Sequence, residues 1–310
     1  MEPLRVAIAQ AAPCALDLPG TLEIIAGWAR RAEDAGAGLV AFSETFIPCY
    51  PVWVDGGLFS RWDHGPAKEL HAAYLAQSLE IGSPEEQRLA SIAADTGVAV
   101  AIGVSERAGR SMFNSLLVYD ERGQRVVHRR KLVPTHGERL VWRPGDAADL
   151  APGLAAGAKV GGLICWEHWM PLPRQVLHDR SEEIHVAAWP HVREMYLVAS
   201  RHFAFEGRCF VLAAGQILRR RDFSPESWAL AAPLLGGDGD LIIGGGSAII
   251  GPDGSLLAGP VSNEEALLVA DLDPAWLARE SLTLDTAGHY ARPDLFRVEV
   301  DFARKAEHVT

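Results

Sequence analysis

A cysteine, a glutamate and a lysine follow three strand-like runs, two of them apolar. Lys159-Val160-Gly161-Gly162-Leu163-Ile164 runs into Cys165, then Trp166-Glu167-His168-Trp169, then Met170-Pro171-Leu172-Pro173 and a helical pattern. A thiol placed where a strand gives way to a turn and a helix meets backbone N–H groups and a helix dipole, which lower its pKa and favour the thiolate. Gly38-Leu39-Val40-Ala41-Phe42-Ser43 ends on Glu44, and Arg125-Val126-Val127-His128-Arg129-Arg130 leads to Lys131. Each residue also has an ordinary reading: free cysteine is often a small core residue, and an acid or amine after a strand is usually at the surface. Taken together they supply a nucleophile, a base and a cation, the parts needed for C–N hydrolysis.

Bringing such ends together is the work of the elements between them. Short β-branched runs predict strands over Arg5–Ala9, Gly38–Ser43, Val98–Val104, Ser115–Tyr119, Arg125–His128, Val160–Ile164, Glu183–Ala188, Cys209–Ala213, Gly246–Ile250 and Ala266–Asp271. Amphipathic stretches predict helices over Leu18–Ala35, Pro66–Ile81, Pro84–Asp95, a segment after Met170, Tyr196–Glu206 and Pro274–Glu280. Asp95-Thr96-Gly97 is a helix stop, and Glu121-Arg122-Gly123 and Pro252-Asp253-Gly254 read as hairpin turns. Arg219 to Gly245 is the longest segment expected to be irregular, and Gly244-Gly245-Gly246-Ser247 reads as a turn rather than a phosphate loop. Strands and helices intermixed without a linker predict one α/β domain over 1–301, with 302–310 a short tail.

The 310 residues are 48% hydrophobic and 22% charged, as in a globular protein with a sizeable core. A net charge of −11 argues against a sequence-independent grip on nucleic acid or an anionic membrane. No run approaches the roughly 20 apolar residues of a membrane helix. Four cysteines without a C-x-x-C suit a reducing cytoplasm. Cys165-x-x-His168 lacks a second pair to complete a zinc site, so no metal is expected.

Phe42-Ser43-Glu44-Thr45-Phe46-Ile47-Pro48, Arg130-Lys131-Leu132-Val133-Pro134-Thr135-His136-Gly137-Glu138-Arg139 and Leu163-Ile164-Cys165-Trp166-Glu167-His168 resemble, in order and separation, the three catalytic motifs of the nitrilase superfamily. The Cys-Trp-Glu-His and Pro-Thr-His-Gly-Glu-Arg forms are similar to its true nitrilase branch. So are Ala188-Trp189-Pro190, the stretch Arg201 to Val211, and Gly288 to Phe296. The resemblance runs from Val6 to about Asp301.

It implies a four-layer α-β-β-α sandwich, a homo-oligomer, and hydrolysis of a small-molecule nitrile to an acid and ammonia without a cofactor. In that scheme Glu44 is the base, Cys165 the nucleophile, Lys131 and the Trp166 N–H the anion stabilisers, and Glu138 orients Lys131. Tyr50, Trp53, Trp166, Trp169 and Trp189 are candidates for an aromatic substrate wall, or equally for core packing. His191 and Cys49 replace small residues and are expected to reshape the pocket. A long C-terminal extension, as in some filament-forming members, is not expected. The competing readings are an amidase or N-carbamoyl hydrolase of the same superfamily, or a cyanide hydratase or dihydratase; a silent scaffold or a cysteine protease lies further off.

Overall fold

The computed structural model describes residues 1–235 and 239–304. Six strands come first: β1 (Leu4–Gln10), β2 (Leu39–Ala41), β3 (Leu79–Glu80), β4 (Ala99–Ala108), β5 (Ser111–Tyr119) and β6 (Arg125–Arg130). Then follow β7 (Gly153–Ala155), β8 (Ala158–Ile164), β9 (Ile184–Ala188), β10 (Phe210–Ala214), β11 (Ile217–Arg219), β12 (Leu241–Ile250) and β13 (Leu256–Ser262), and β14 (Ala266–Leu272) returns to the first set. One sheet has the order β14-β1-β2-β4-β5-β6 with β3 on β4; the other is β11-β12-β10-β9-β8-β7 with β13 on β12. The helices are α1 (Leu18–Asp34), α2 (Gly65–Ala76), α3 (Pro84–Thr96), α4 (Pro171–His178), α5 (Glu194–Gly207), α6 (Pro225–Ala231) and α7 (Ala275–Ser281).

Side-chain alternation along the central strands builds the layers. Val6 and Ile8 of β1, with Leu39 and Ala41 of β2, pack into one core with Val160, Ile164 and Val186 of the facing sheet. Ala7, Ala9 and Val40 point the other way, onto Leu22 and Ile25 of α1 and Leu89 and Ile92 of α3. Val176 of α4 and Phe203 of α5 close the far side. The result is the α-β-β-α sandwich that the resemblance implied.

Local signals set the helix ends. Asp17 caps α1 and Ser83 caps α3, each accepting from a first-turn N–H. Gly97 ends α3 at φ +64°. All ten predicted strands form, with shifted ends, and both hairpins form. Four short or edge strands, β3, β7, β11 and β13, were not predicted. The helix expected over 66–81 stops at Ala76, because Leu79 and Glu80 pair with β4.

Two further expectations are corrected. The segment 219–245 contains α6, capped by Ser224 with Pro225 in its first turn, and the start of β12. Residues 236–238 of it lie outside the described residues, as do 305–310 of the tail. Gly244-Gly245-Gly246-Ser247 is a bulged stretch within β12 and not a turn. Gly246, at φ +87°, passes so close to β9's continuation that a Cβ would stand 2.2 Å from the Val192 carbonyl oxygen.

Candidate active site

Glu44, Lys131 and Cys165 leave the ends of β2, β6 and β8 and meet in one buried group. Lys131 Nζ donates to Glu44 Oε1 at 2.9 Å and to Glu138 Oε2 at 2.7 Å. Cys165 Sγ and one carboxylate oxygen each of Glu44 and Glu138 lie within 4.8 Å of one another. Such a trio also has the spacing of a metal-ligand set, but the Lys131 ammonium already bridges the two carboxylates, and a second cation there would meet its repulsion.

Backbone strain marks all three segments. Thr45 (φ +41°), His136 (φ +43°) and Cys165 (φ +51°) adopt the left-handed conformation without being glycine, which costs about 1–3 kcal/mol each and needs surrounding structure to hold it. Gly103 of β4 makes room for the first: a Cβ there would lie within 2.6 Å of Glu44 Cα and Thr45 N. The facing sheet holds Glu44 too, through Glu44 N–H to the Trp189 carbonyl (3.2 Å) and Gln216 Nε2 to the Glu44 carbonyl (2.9 Å).

Sequence reasoning missed several residues of this framework. Asn114 Nδ2 donates to Glu44 Oε1 at 2.6 Å; its signal was a polar pair, Asn114-Ser115, inside an otherwise apolar strand. Glu167 accepts from the two terminal guanidinium nitrogens of Arg129, at 2.6 and 2.7 Å, and from the backbone N–H groups of Leu132 and Ile164. It therefore ties the segment carrying Lys131 to the strand end carrying Cys165. Burial raises the Glu167 pKa, but Arg129 and the N–H donors outweigh it and hold the carboxylate below its usual range.

The electrostatics correct one expectation. The Cys165 thiol is pushed well above its ordinary pKa, first by burial and then by the Glu44 carboxylate, with Lys131 opposing. The following element is a single 3-10 stretch, Cys165–Trp169, too short to supply the dipole expected of a helix. Cys165 rests as a thiol and needs a proton acceptor. Burial lifts Glu44 to about 7 against the pull of Lys131. Burial also works against the Lys131 ammonium, but Glu44, Cys165 and Glu138 outweigh it and keep the charge in place.

A pH dependence follows from Glu44. A base works when ionised, so with Glu44 in the role that the resemblance implies, kcat/KM should be lost as pH falls through about 7. A pH–rate profile checks this; an acid limb near the ordinary carboxylate value would contradict it. The stability contribution has the opposite sense: a carboxyl with a raised folded pKa favours the fold at low pH and loses that contribution as pH rises through about 7.

A cavity of about 780 Å³ opens over Cys165. Of the predicted wall, Tyr50, Trp166, Trp169 and His191 line it. Tyr50 also donates its hydroxyl to Glu138 Oε1 at 3.0 Å. Trp53 and Trp189 do not line it. Trp53 is buried against the edge of Tyr74, and Trp189 is buried with its indole N–H on Ser200, stacked between His168 and Tyr196. Cys49 is likewise buried away from the wall, with its thiol pushed up to about 12 by burial. Tyr196, Ile242 and Ile243 complete the apolar part of the wall.

The carbon–nitrogen hydrolase family model matches residues 5–279. A nitrilase from Pseudomonas syringae pv. syringae (strain B728a) is 40% identical over 96% of this chain and 89% of its own length. The chain belongs to the carbon–nitrogen hydrolase family. Within that family it falls in the nitrilase branch: an aliphatic nitrilase from Sinorhizobium fredii (strain HH103) is 35% identical, covering 100% of this chain and 99% of its own. The hydrolase fold is seen again in an amidase from Nesterenkonia sp. AN1, whose active-site cysteine carries an acrylamide adduct. It has a TM-score of 0.66 at 21% identity, over 90% of this chain and 98% of that one. A carbon–nitrogen hydrolase of this branch thus presents a buried thiol, carboxylate and ammonium at the floor of a partly aromatic cavity.

Proposed function

We propose that the protein hydrolyses an organic nitrile to a carboxylic acid and ammonia, with Cys165 as nucleophile. The carrying observation is the buried contact of Glu44, Lys131 and Cys165 beneath the cavity, within a chain of the nitrilase branch. Glu44 takes the thiol proton as Sγ bonds to the nitrile carbon and passes it to the nitrogen, which gives a thioimidate and leaves Glu44 ionised. Charge developing on that nitrogen faces Lys131 Nζ and the backbone N–H of Trp166, in the first turn of a 3-10 helix where N–H groups lack intrahelical acceptors. Glu44 then takes a proton from water, the tetrahedral adduct breaks its C–N bond and releases ammonia, and a thioester remains. A second water, activated in the same way, releases the acid and returns the proton to Cys165. Glu138 holds the Lys131 ammonium through its 2.7 Å contact.

Trp166, Trp169 and Tyr196, with Ile242 and Ile243, favour an aryl or arylalkyl substituent on the nitrile. The residues 1–301 act as one catalytic unit in this reading. A homo-oligomer is supported by the exposed apolar side chains Leu172 of α4 and Met195, Val198 and Phe205 of α5. A reducing, cytoplasmic setting is supported by four free cysteines. No helix of the described residues is long and apolar enough to cross a membrane.

Ammonia and carboxylate release from aryl, arylalkyl and aliphatic nitriles, beside the matching amides, tests the reaction. Turnover of nitriles to acid, fastest for the aryl-bearing members, is expected. Turnover of amides alone would move the protein to the amidase side, and amide as sole product from nitriles would make it a hydratase.

A further inference from the structure

A second buried run of titratable side chains reaches the nucleophile from behind. His168 Nδ1 lies 2.7 Å from the Cys165 carbonyl oxygen, His168 Nε2 lies 3.0 Å from His185 Nε2, and His185 Nδ1 lies 2.9 Å from Glu182 Oε2. All three side chains are buried, and none has a task in the reaction above.

The donors and acceptors fix the direction of this run. A carbonyl oxygen only accepts, so His168 Nδ1 carries a proton. One proton must lie between the two Nε2 atoms and one between His185 and Glu182. With both imidazoles neutral, His185 Nε2–H donates to His168, His185 Nδ1 accepts, and Glu182 Oε2 must be a hydroxyl. The other placements with the same three protons create an imidazolium and a carboxylate in a buried site. Glu182 Oε1 opposes those: among the described residues it has no hydrogen-bond partner, and it faces Gly161, where a Cβ would stand 2.2 Å away. A carboxylate there would leave a charged oxygen uncompensated. Two neighbouring basic side chains have other partners. Arg129 from β6 is bound by Glu167, and His178 from α4 contacts Glu206 from α5. Burial acts in the same sense, pushing Glu182 up to about 8 and both imidazoles well below their usual range.

We propose that Glu182 is a neutral proton donor whose one-way chain through His185 and His168 positions and polarises the Cys165–Trp166 peptide. The Cys165 carbonyl and the Trp166 N–H belong to the same amide. A hydrogen bond into that carbonyl withdraws electron density from the amide and makes its N–H a stronger donor. It also braces the φ +51° conformation of Cys165. Ring packing holds the chain in register: His185 stacks on Phe203 at 3.6 Å and His168 on Trp189 at 4.6 Å. Glu182, His185 and His168 are positioning residues. Their catalytic consequence rests on the proposed role of the Trp166 N–H in nitrile attack, while the direction of the chain does not.

Two measurements on the full-length protein test this. In ¹⁵N spectra of the unsubstituted enzyme, His168 should be protonated on Nδ1 and not on Nε2, and His185 on Nε2 and not on Nδ1. In nitrile turnover, Glu182→Leu should lower kcat by about 10- to 100-fold with KM within about twofold, less than the loss of an anion-hole donor outright. Glu182→Gln, whose amide N–H can still donate to His185, should recover kcat to within about threefold of the unsubstituted enzyme. A cationic His185 in the spectrum, full kcat in Glu182→Leu, or a Glu182→Gln enzyme as slow as Glu182→Leu would overturn the proposal. Should Glu182→Leu fail to fold, the spectrum and Glu182→Gln decide. Lack of nitrile turnover by the unsubstituted enzyme would sink the proposed reaction, and the spectrum would still decide the chain.

Discussion

Glu44→Gln is expected to lower kcat for nitrile hydrolysis by about 10²- to 10⁴-fold, the range attributed to a lost general base. The substitution is close to isosteric, and the Gln carbonyl can still accept from Lys131 Nζ and Asn114 Nδ2 where Glu44 Oε1 does. What it removes is basicity, and Cys165 depends on that basicity because burial and the neighbouring carboxylates hold it as a thiol. The variant's melting temperature should stay within a few degrees of the parent, about the size of a ~1 kcal/mol change. An enzyme that keeps its turnover after this change would place the base elsewhere.

Lys131→Met should damage both the reaction and the fold. The ammonium is buried and neutralises Glu44 and Glu138 at 2.9 and 2.7 Å. Removing it leaves two carboxyl groups facing each other, so at least one must take up a proton, at a cost of about 3–5 kcal/mol for breaking a buried pair. For a chain of this size that corresponds to a fall in Tm of about 5–8 °C. Turnover should fall by about 10²- to 10³-fold or more, because the charge on the substrate nitrogen loses its cation. The double change Lys131→Met/Glu138→Gln separates the two effects. Calorimetry should show part of the stability restored, since one of the facing carboxyls is gone, while the assay should show no recovery. Recovery of activity in the double variant would mean that Lys131 serves only to neutralise Glu138.

The strand ends carrying Glu44 and Cys165 were legible because each residue ends a continuous apolar run, whereas the run before Lys131 has only Val126 and Val127 to mark it as a strand. The same pattern predicted ten strands. It could not reveal β13, whose Leu256–Ser262 sequence contains a Gly-Pro and is half exposed, nor β3, which is only two residues long. The layering rested on resemblance. It becomes physical only when Val6 and Ile8 are seen to pack on one neighbour and Ala7 and Ala9 on another.

The aromatic wall was the least legible part. Trp166 and Trp169 face the cavity while Trp53 and Trp189 are core, and nothing in composition separates them. Trp166 follows the φ +51° turn at Cys165, whereas Trp189 continues directly from β9 into the core. The thiol pKa was misjudged for a related reason. The motif placed a helix after Cys165, but it could not show that the sulfur would be buried, with Glu44 and Glu138 within 4.8 Å of it.

The central claim is that the Cys165 sulfur forms a covalent bond to the nitrile carbon. The most direct measurement is intact-protein and peptide mass spectrometry after acid quench during turnover of an aryl nitrile. The account predicts one added acyl or imidoyl group, located on the peptide carrying Cys165 and absent from Cys165→Ala. Turnover without any adduct, or an adduct on Cys14, Cys49 or Cys209 with Cys165 unmodified, would contradict it.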